Sequence, residues 1–511
     1  MPVFTSLVPA GLLTFLSSGD TPLPIAMWLA PLFLLRFAHL NPTPTGFALM
    51  LVVLYVVATI VNRAMTPFQG VPYFAVFAVI VMMQMLPYLV DALVASRLSG
   101  FASTLVFPLA WVAVEFAAIR MTPAGSWYAT AYSQYGNLPL MQMTSVTGLS
   151  GVTFLVGWFA STVNWAWDRH FVWDSVGAGV LVYAAVFIVV MLAGAARLAF
   201  APSDSVSLRA AAISYPKELF APGEVTRILK AEVPPDDRGP YRAKTGRLQD
   251  WFLDSSRREA RAGAQVIVWG EVNLLVFKED EFAFLERAQR LAREESVYLL
   301  MGMASVRIGA PRPLENKAVL VTPSGEVAFS HQKGRPVAGW EAELSNPDGR
   351  PLPVVNTKYG RIGAAICFEM DFPQLIRQIG AADADILLAP SNDWKAIKHV
   401  HAAMAVFRGV ENGVSIVRAT SSGLSVATDP FGRVLALMDH FSPDARVMVA
   451  RVPTARVPTV YNRVGDLFAW LCVAGLVSML IIGALAPTTR LARVRPAAPA
   501  LTSASREAPT R

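Results

Sequence analysis

The sequence predicts a multi-span α-helical membrane domain joined to an α/β domain that lies outside the membrane. Of the 511 residues, 54% are hydrophobic and only 16% are charged, whereas soluble domains carry about a quarter of charged residues. Long apolar stretches dominate the first 200 residues, and charged residues return between residues 201 and 459, where strand and helix patterns alternate. We therefore expect a lipid-embedded region followed by a water-exposed one.

Apolar stretches that approach or reach the about 17–25 residues of a membrane-spanning helix occur six times. They are residues 46–61, 71–90, 101–119, 149–167, 175–195 and 467–485. Two shorter runs, residues 3–16 and 24–37, flank the turn-like string SSGDTPLP and predict a membrane hairpin. A signal sequence is the alternative for this region, but no Lys or Arg precedes the first run. We expect about eight spans in total.

Basic residues predict the orientation of these spans, because Lys and Arg accumulate in cytoplasmic segments. Beyond residue 487 the chain has five arginines and a single acid, Glu507, in an Ala/Pro-rich segment that predicts disorder. We therefore expect residues 1–200 to form a membrane domain of about seven helices and residues 201–459 to face outward. Residues 460–487 would form a last membrane helix, and residues 488–511 a disordered cytoplasmic tail.

The block from residue 201 to residue 459 alternates strand and helix patterns. Predicted strands are VSLRAAAIS, QVIVWGE, YLLMGMASV, DILLAPSN and VSIVRATSS, and a further strand in GRIGAAICFE ends at Cys367. NKAVLVTPSGEVAFSHQK and GLSVATDPFGRVLALM predict hairpins, and residues 241–264 and 279–296 predict amphipathic helices. This alternation is typical of an α/β domain.

The two cysteines, Cys367 and Cys472, exclude a disulfide framework and a four-cysteine zinc site. Cys472 lies in the apolar run FAWLCVAGLV, where a free cysteine behaves as a small hydrophobe. The formal net charge of +7 comes in large part from the C-terminal tail, so we expect no nucleic acid partner. No HExxH motif is present, and we expect neither a metal nor a cofactor.

Three chemically useful side chains stand at the ends of predicted strands. They are Glu271 in VIVWGE, Lys333 in SHQKGR and Cys367 in AAICFE. Side chains at strand ends can meet at one rim of a sheet. A thiol needs a base or a cation to react as thiolate, and Glu271 can take its proton. The Lys333 ammonium and a backbone N–H after Cys367 can stabilise an oxyanion.

Each of these side chains also has an ordinary structural interpretation. A Glu after a strand is usually solvated, a Lys in a hairpin is usually exposed, and a Cys in an apolar strand is usually part of the core. A Cys–His pair is the competing chemical hypothesis, since His331, His399 or His401 can approach Cys367 in the folded chain. Spacing along the chain does not decide between these alternatives.

The residues 201–459 resemble the nitrilase superfamily, and the whole chain is similar to its membrane-embedded apolipoprotein N-acyltransferase family. The strings VIVWGE, HQKGR and ICFEMDFP match the family's Glu, Lys and Cys motifs, and LLAPSNDW, WVAVEFAAIR and GSWYATAYSQYG extend the match. The resemblance implies a nitrilase-like αββα sandwich with Glu271, Lys333 and Cys367 as catalytic triad. It also implies active-site support from Glu341 and Glu369.

Function follows from the same resemblance. It implies that a phospholipid gives its acyl chain to Cys367 as a thioester, and that the α-amine of the lipidated N-terminal cysteine of a diacylated apolipoprotein then accepts it. The expected protein is a monomer in the bacterial inner membrane with a periplasmic catalytic domain. The alternatives are a membrane-anchored nitrilase-type amidase, in which water is the acceptor, and a transporter or scaffold with a degenerate domain.

Several positions depart from the family's pattern. Gly270 stands where a Pro usually precedes the catalytic Glu, and Phe368 replaces a Tyr after the nucleophile. The segment VAGWEAELSNPDG around Glu341 lacks the usual VPFGE-type string. In the membrane half, Glu115 is a costly charge that either pairs internally or helps to hold a lipid headgroup. Trp127, Tyr128, Tyr132 and Tyr135 are typical of an interfacial aromatic belt.

Overall fold

The computed structural model describes residues 6–201, 206–216, 219–221, 223–443 and 446–485. The predicted cytoplasmic tail, residues 488–511, lies outside the described residues. The helices are α1 (Val8–Leu16), α2 (Pro24–Leu40), α3 (Pro44–Val61), α4 (Gly70–Val94), α5 (Val106–Met121), α6 (Leu138–Met141), α7 (Thr144–Thr147), α8 (Leu149–Trp167), α9 (Trp173–Ala199), α10 (Glu224–Leu229), α11 (Arg238–Arg261), α12 (Glu281–Glu295), α13 (Trp340–Leu344), α14 (Pro373–Ala381), α15 (Lys398–Asn412), α16 (Val460–Val464) and α17 (Leu467–Leu485).

Five helical segments of the described chain are long and apolar enough to cross a membrane. They are Pro44–Val61, Gly70–Arg97, Phe101–Met121, Trp173–Ala199 and Leu467–Leu485. A sixth span is formed if Leu138–Thr147 and Leu149–Trp167, which are bent by 118°, count as one. The 17-residue helix α2 is apolar but shorter. The number of about eight spans and the domain boundaries stay predictions.

The lipid-facing character of these helices is visible in their exposed side chains. On α3, Val52, Val56 and Ile60 are between 46% and 60% exposed. A soluble protein does not leave such a continuous apolar face in water. Helix α3 begins where Thr43 Oγ1 accepts the N–H of Gly46 (3.1 Å), directly before Pro44 at the first helical position.

The described residues between 206 and 453 contain thirteen strands in two sheets. They are β1 (Ser207–Ile213), β2 (Val266–Trp269), β3 (Leu274–Phe277), β4 (Tyr298–Val306), β5 (Leu314–Val321), β6 (Val327–Gln332), β7 (Val354–Thr357), β8 (Gly360–Ala364), β9 (Ile386–Asn392), β10 (Ser415–Ser421), β11 (Leu424–Thr428), β12 (Val434–Asp439) and β13 (Val447–Pro453). The first sheet has the order β13-β1-β2-β4-β5-β6, with β3 also paired to β4, and the second has the order β12-β11-β10-β9-β8-β7.

The two sheets pack face to face and confirm the predicted αββα sandwich. A buried apolar cluster lies between them, with Val266 and Leu300 from one sheet and Ile386 and Val417 from the other. Helices α10, α11 and α12 cover the outer face of the first sheet, and α14 and α15 cover that of the second. Strands β2, β4 and β10 are buried along their whole length because they are covered on both faces.

Parallel pairing places the carboxyl ends of several strands at one rim. Strand β1 pairs parallel to β2 and β2 to β4, while β8, β9 and β10 run parallel in the other sheet. Strand β8 ends at Ala364, so the prediction of a strand that continues to Cys367 is wrong by three residues. The chain instead enters a 3-10 turn, Cys367–Asp371, which leads into α14.

Helix α15 joins the sandwich to the membrane region. All its residues from Val400 to Asn412 are buried. One face packs on the second sheet, and the other belongs to a buried cluster with Tyr132, Leu140 and Val152 of the membrane region. A helix covered on both faces has no polar stripe to mark it in the sequence, which explains why it was not predicted.

Candidate active site

Glu271, Lys333 and Cys367 line one cavity of about 480 Å³. The cavity lies at the rim where β2, β6 and β8 end. Its other wall is the loop of residues 63–69, which connects α3 to α4. The predicted convergence of the three side chains is therefore present in the structure, and the membrane region contributes part of the same enclosure.

Glu271 is only 4% exposed and lies two residues after β2. Its N–H donates to the Ser391 carbonyl oxygen (3.1 Å) at the end of β9 in the opposite sheet. Gly302 in β4 permits this placement, because a Cβ there would lie 2.9 Å from the Glu271 Cα. Burial raises the pKa of the Glu271 carboxyl above its ordinary value, against the opposing effect of the Lys333 ammonium.

Lys333 directly follows β6 and is held by two carboxylates. Its Nζ donates to Glu271 Oε1 (2.7 Å) and to Glu341 Oε2 (2.9 Å) and Oε1 (3.1 Å). Burial by itself lowers the pKa of this ammonium, but Glu271 and Glu341 raise it more, and the net pKa lies well above the ordinary value. Lys333 is therefore a permanent positive charge in the cavity wall.

Glu341 belongs to α13 and is 2% exposed. Besides Lys333 it accepts the N–H of Val337 (2.7 Å). The Asn316 Nδ2 group donates to both Glu271 Oε1 and Glu341 Oε1, each at 2.7 Å. The structure thus brings Glu341 into the site despite the unusual string around it. Asn316 was not singled out from the sequence, since an Asn at the start of a strand carries no motif of its own.

Cys367 begins the 3-10 turn with a φ of +46°, in the left-handed region that side chains other than Gly rarely adopt. Such strain is often held at functional sites by the surrounding structure. The Sγ atom lies 3.7 Å from the Asn392 carbonyl oxygen. Burial, and then the Glu271 charge, raise the pKa of the Cys367 thiol well above its ordinary value. The resting side chain is therefore a thiol that needs a base.

Glu369 is fully buried and does not line the cavity. Its Oε2 accepts the N–H of Ile366 and its Oε1 accepts the N–H of Gly334, both at 2.7 Å. His331 Nε2 lies 3.1 Å from both carboxylate oxygens. Glu369 therefore ties the segment before Cys367 to the segment after Lys333.

The competing Cys–His hypothesis is not supported by the positions of the histidines. His331 faces Glu369, and His399 Nδ1 lies 2.6 Å from Asp20 in the loop between α1 and α2. His401 is the one near Cys367, but its Nδ1 lies 2.6 Å from Asp393 and its Nε2 3.1 Å from Asp371. Burial lowers the pKa of His401, yet the two carboxylates raise it to about 9. A protonated imidazole cannot act as a base.

A group of three potential metal ligands is formed by Cys367, Asp393 and His401, whose ligand atoms lie within 4.8 Å of one another. The Arg418 guanidinium donates to both Asp393 oxygens, at 2.8 and 2.9 Å. Since the carboxylate is paired and both imidazole nitrogens face carboxylates, the arrangement is a buried ion-pair cluster. It does not offer the free nitrogen lone pair that a metal ion requires.

The loop between α5 and α6 docks on the turn that contains Cys367. Ser126 N and Oγ both donate to the Asp371 carbonyl oxygen, at 2.8 and 2.7 Å. A Cβ at Gly125 would lie 2.6 Å from the same oxygen, so only Gly permits the contact. The Trp127 ring lies 5.6 Å from the His401 ring. Trp127 therefore packs beneath the nucleophile segment and is not a free interfacial aromatic side chain.

Glu115 has internal partners. Its Oε2 accepts from Thr130 N (2.9 Å) and Oγ1 (2.8 Å), and its Oε1 accepts from Thr153 Oγ1 (2.6 Å) on α8. Arg120 pairs with Asp466 (2.9 Å) and not with Glu115. Cys472 is 3% exposed and packs with Val112 and Phe116 of α5. Glu115 and Cys472 therefore take part in the packing of the helices, and neither lines the cavity.

Two families match separate parts of the chain. Residues 10–162 match the apolipoprotein N-acyltransferase N-terminal domain, and residues 239–461 match the carbon-nitrogen hydrolase family. The second match contains all five candidate site residues, and the first contains the loop of residues 63–69. The candidate catalytic side chains and the loop of residues 63–69 thus lie in two separate family matches, whereas four further lining residues lie between the matches, namely Tyr215, Phe220, Val225 and Leu229.

Curated relatives span most of the chain. The apolipoprotein N-acyltransferase of Geobacter metallireducens is 28% identical and aligns over 74% of this chain and 73% of its own. That of Bradyrhizobium diazoefficiens is 25% identical, over 72% and 70%. Among solved structures, an amidase from Nesterenkonia sp. is 20% identical with a TM-score of 0.40 and covers 52% of this chain and 95% of its own.

Proposed function

We propose that the chain is a member of the apolipoprotein N-acyltransferase family and that it moves an acyl chain from a phospholipid to the N-terminal amine of a lipoprotein through a thioester on Cys367. The observation that carries the proposal is the shared cavity. A nucleophile, a base and a cation line it together with a loop between two membrane helices. Both proposed substrates lie in a membrane, so a site at its surface suits them.

In the first half-reaction Glu271 takes the proton of the Cys367 thiol, and Sγ attacks the ester carbonyl of the phospholipid. The Lys333 ammonium and a backbone N–H of the turn that begins at Cys367 stabilise the tetrahedral oxyanion. Collapse breaks the C–O bond. The lysophospholipid alkoxide leaves with the proton that Glu271 returns, and the acyl chain remains on sulfur.

In the second half-reaction the α-amine of the lipidated N-terminal cysteine attacks the thioester carbonyl. Glu271 takes a proton from the attacking nitrogen, the C–S bond breaks, and the Cys367 thiolate is protonated again. An amide and the resting enzyme result. Glu341 shares the Lys333 ammonium with Glu271 and so holds it in place through both steps.

The proposed location is the bacterial inner membrane. We assign residues 1–200 and 460–487 to the membrane and residues 201–459 to a catalytic domain on the periplasmic side, with a monomer as the functional unit. The apolar surface of α3 supports a location in a membrane, and the docking of the loop that contains Ser126 on the nucleophile turn supports a catalytic domain next to that membrane.

The experiment is intact-mass analysis of the purified full-length protein after incubation with phospholipid alone, followed by addition of a diacylated lipopeptide. We expect an acyl adduct on Cys367 in the first step and an N-acyl lipopeptide in the second. Release of free fatty acid without N-acylation would instead support the amidase alternative, in which water is the acceptor. The absence of any adduct would contradict acyl transfer through Cys367.

A further inference from the structure

The membrane-side wall of the cavity is a loop that is hydrogen-bonded to the sandwich. Residues 63–69 connect α3 to α4, and Trp394 Nε1 donates to the Ala64 carbonyl oxygen (2.7 Å). At the base of the loop, the Tyr73 hydroxyl donates to the Thr59 carbonyl oxygen (2.5 Å). The first bond holds the loop backbone against the sandwich, and the second joins α4 to α3 beside the loop.

Two cations line the cavity, Lys333 and Arg63. Lys333 is neutralised by Glu271 and Glu341. The third lining carboxylate, Asp393, is paired with Arg418. Arg63 is exposed and lines the cavity, and no carboxylate in the described part of the chain pairs with it. Arg63 is thus the lining cation whose charge the protein leaves uncompensated.

We propose that Arg63 binds the phosphate group of the phospholipid acyl donor. This inference rests on the proposed function and adds to it a residue that recognises the headgroup. A guanidinium presents a planar set of donors that matches two phosphate oxygens. The phosphate of a glycerophospholipid is a few bonds from its ester carbonyls, and Arg63 and Cys367 line the same cavity. The proposal therefore assigns an ester carbonyl of the donor to Cys367 and its phosphate to Arg63.

A phosphate-binding role also predicts that Arg63 affects only one of the two half-reactions. The donor carries a phosphate, whereas the proposed acceptor, a diacylglyceryl cysteine, carries none. Arg63 therefore assists thioester formation and leaves the attack of the amine unaffected. A basic residue that merely anchored the loop to the membrane surface would not distinguish the donor from other acyl esters.

The test measures thioester formation on Cys367 by the full-length protein in detergent micelles. Phosphatidylethanolamine serves as the phosphate-bearing donor and p-nitrophenyl hexadecanoate as the donor without phosphate. The variants are Arg63→Gln, Arg63→Lys and the matched control Arg463→Gln. Arg463 is an exposed arginine between the sandwich and α17, and it does not line the cavity.

For Arg63→Gln we expect kcat/KM for phosphatidylethanolamine to fall about tenfold or more, as the loss of a charge-assisted hydrogen bond predicts. Values for the nitrophenyl ester and for the lipopeptide acceptor should not change. Arg63→Lys should recover part of the loss, and Arg463→Gln should match the unmodified protein.

An equal loss with both donors, or no loss with either, would overturn the inference while leaving the proposed function intact. If the unmodified protein formed the thioester from the nitrophenyl ester but not from phosphatidylethanolamine, the donor would not be a phospholipid. That result would contradict the proposed function itself.

Discussion

Glu369 Oε1 accepts the backbone N–H of Gly334 at 2.7 Å, which connects the segment that carries Cys367 to the segment that carries Lys333. The second carboxylate oxygen accepts the N–H of Ile366. One buried side chain thus fixes the relative position of the nucleophile and of the cation opposite it. The relationship crosses the two sheets, since Lys333 follows β6 and Cys367 follows β8.

Glu369→Gln is expected to lower both stability and turnover. An amide has one oxygen and one NH₂ group, so a donor must face the N–H of Ile366 or Gly334, at a cost of about 1–3 kcal/mol. Denaturant titration measures the loss of stability. The decrease in kcat at saturating donor measures the effect of displacing Cys367 relative to Lys333. Glu343→Gln, an exposed position on α13, is the control and should change neither.

Replacement of Cys367 tests whether this residue is a nucleophile or an ordinary residue of the core. Cys367→Ala should abolish the acyl adduct, and Cys367→Ser should fold but lose most turnover, because a hydroxyl is harder to activate than a thiol. Cys472→Ala is the matched control and should still form the adduct. If mass spectrometry finds the adduct in the Cys367→Ala protein, another side chain is the nucleophile.

The role of Glu271 as base predicts a pH dependence. Its pKa is raised above 4.5 by burial, and only the carboxylate form can take the thiol proton. The rate of thioester formation should therefore fall as the pH decreases through this raised pKa. Glu271→Gln should lower the rate about 10²–10⁴-fold and remove this acid limb. A Glu271→Gln profile that keeps the limb would assign it to another group.

His401 predicts a pH dependence of stability with the opposite sign. Its pKa is raised from 6.5 to about 9 in the folded protein, so its ion pairs contribute fully below pH 6.5. That contribution is lost as the pH rises toward 9. The difference amounts to roughly 3 kcal/mol by the usual conversion of pKa shifts.

The measurement is the free energy of unfolding across this pH window for the unmodified protein and for His401→Asn. The variant should be less stable at pH 6 and should lose less stability as the pH rises. Parallel curves for the two proteins would show that the imidazole is not the titrating group. His399→Asn is the control, because His399 is a partly exposed histidine that pairs with Asp20 in the loop between α1 and α2.

The proposed orientation can be tested with single reporter cysteines, because both native cysteines are buried. Glu294→Cys lies on the exposed surface of α12, and Asp174→Cys lies at the start of α9, the end remote from the sandwich. In intact spheroplasts a membrane-impermeant maleimide should label the first variant only. Labelling of Asp174→Cys before permeabilisation, with Glu294→Cys protected, would reverse the assignment.

Local patterns in the sequence were sufficient for much of the architecture. Apolar runs at residues 46–61, 175–195 and 467–485 coincide with α3, α9 and α17, because a helix satisfies the backbone hydrogen bonds of a long apolar segment internally, as lipid requires. The strands VIVW and YLLMGMASV are likewise buried strands. In the Glu, Lys and Cys strings, the residue types themselves indicated the chemistry, and all three side chains line one cavity.

The short strands β3 and β13 and helix α15 were not predicted. Strand β3 has four residues, and β13 pairs with β1 across more than two hundred residues of chain. A strand of four residues is too short to show a period, and the alternating burial of β13 is set by its pairing with a strand distant in sequence. The place where β8 ends was also misjudged, since the chain turns at Cys367 with a positive φ, next to the hydrogen bond from Ile366 N–H to Glu369.

The sequence by itself therefore determined the classes of structure in this protein, namely membrane helices and an α/β sandwich. It also determined three candidate side chains. The tertiary structure decided which side chains touch. It placed His401 between two carboxylates, gave Lys333 two partners, and closed the cavity with residues 63–69 of the membrane region. Protonation states and cavity walls depend on distances between residues far apart in the chain, and these distances exist only after folding.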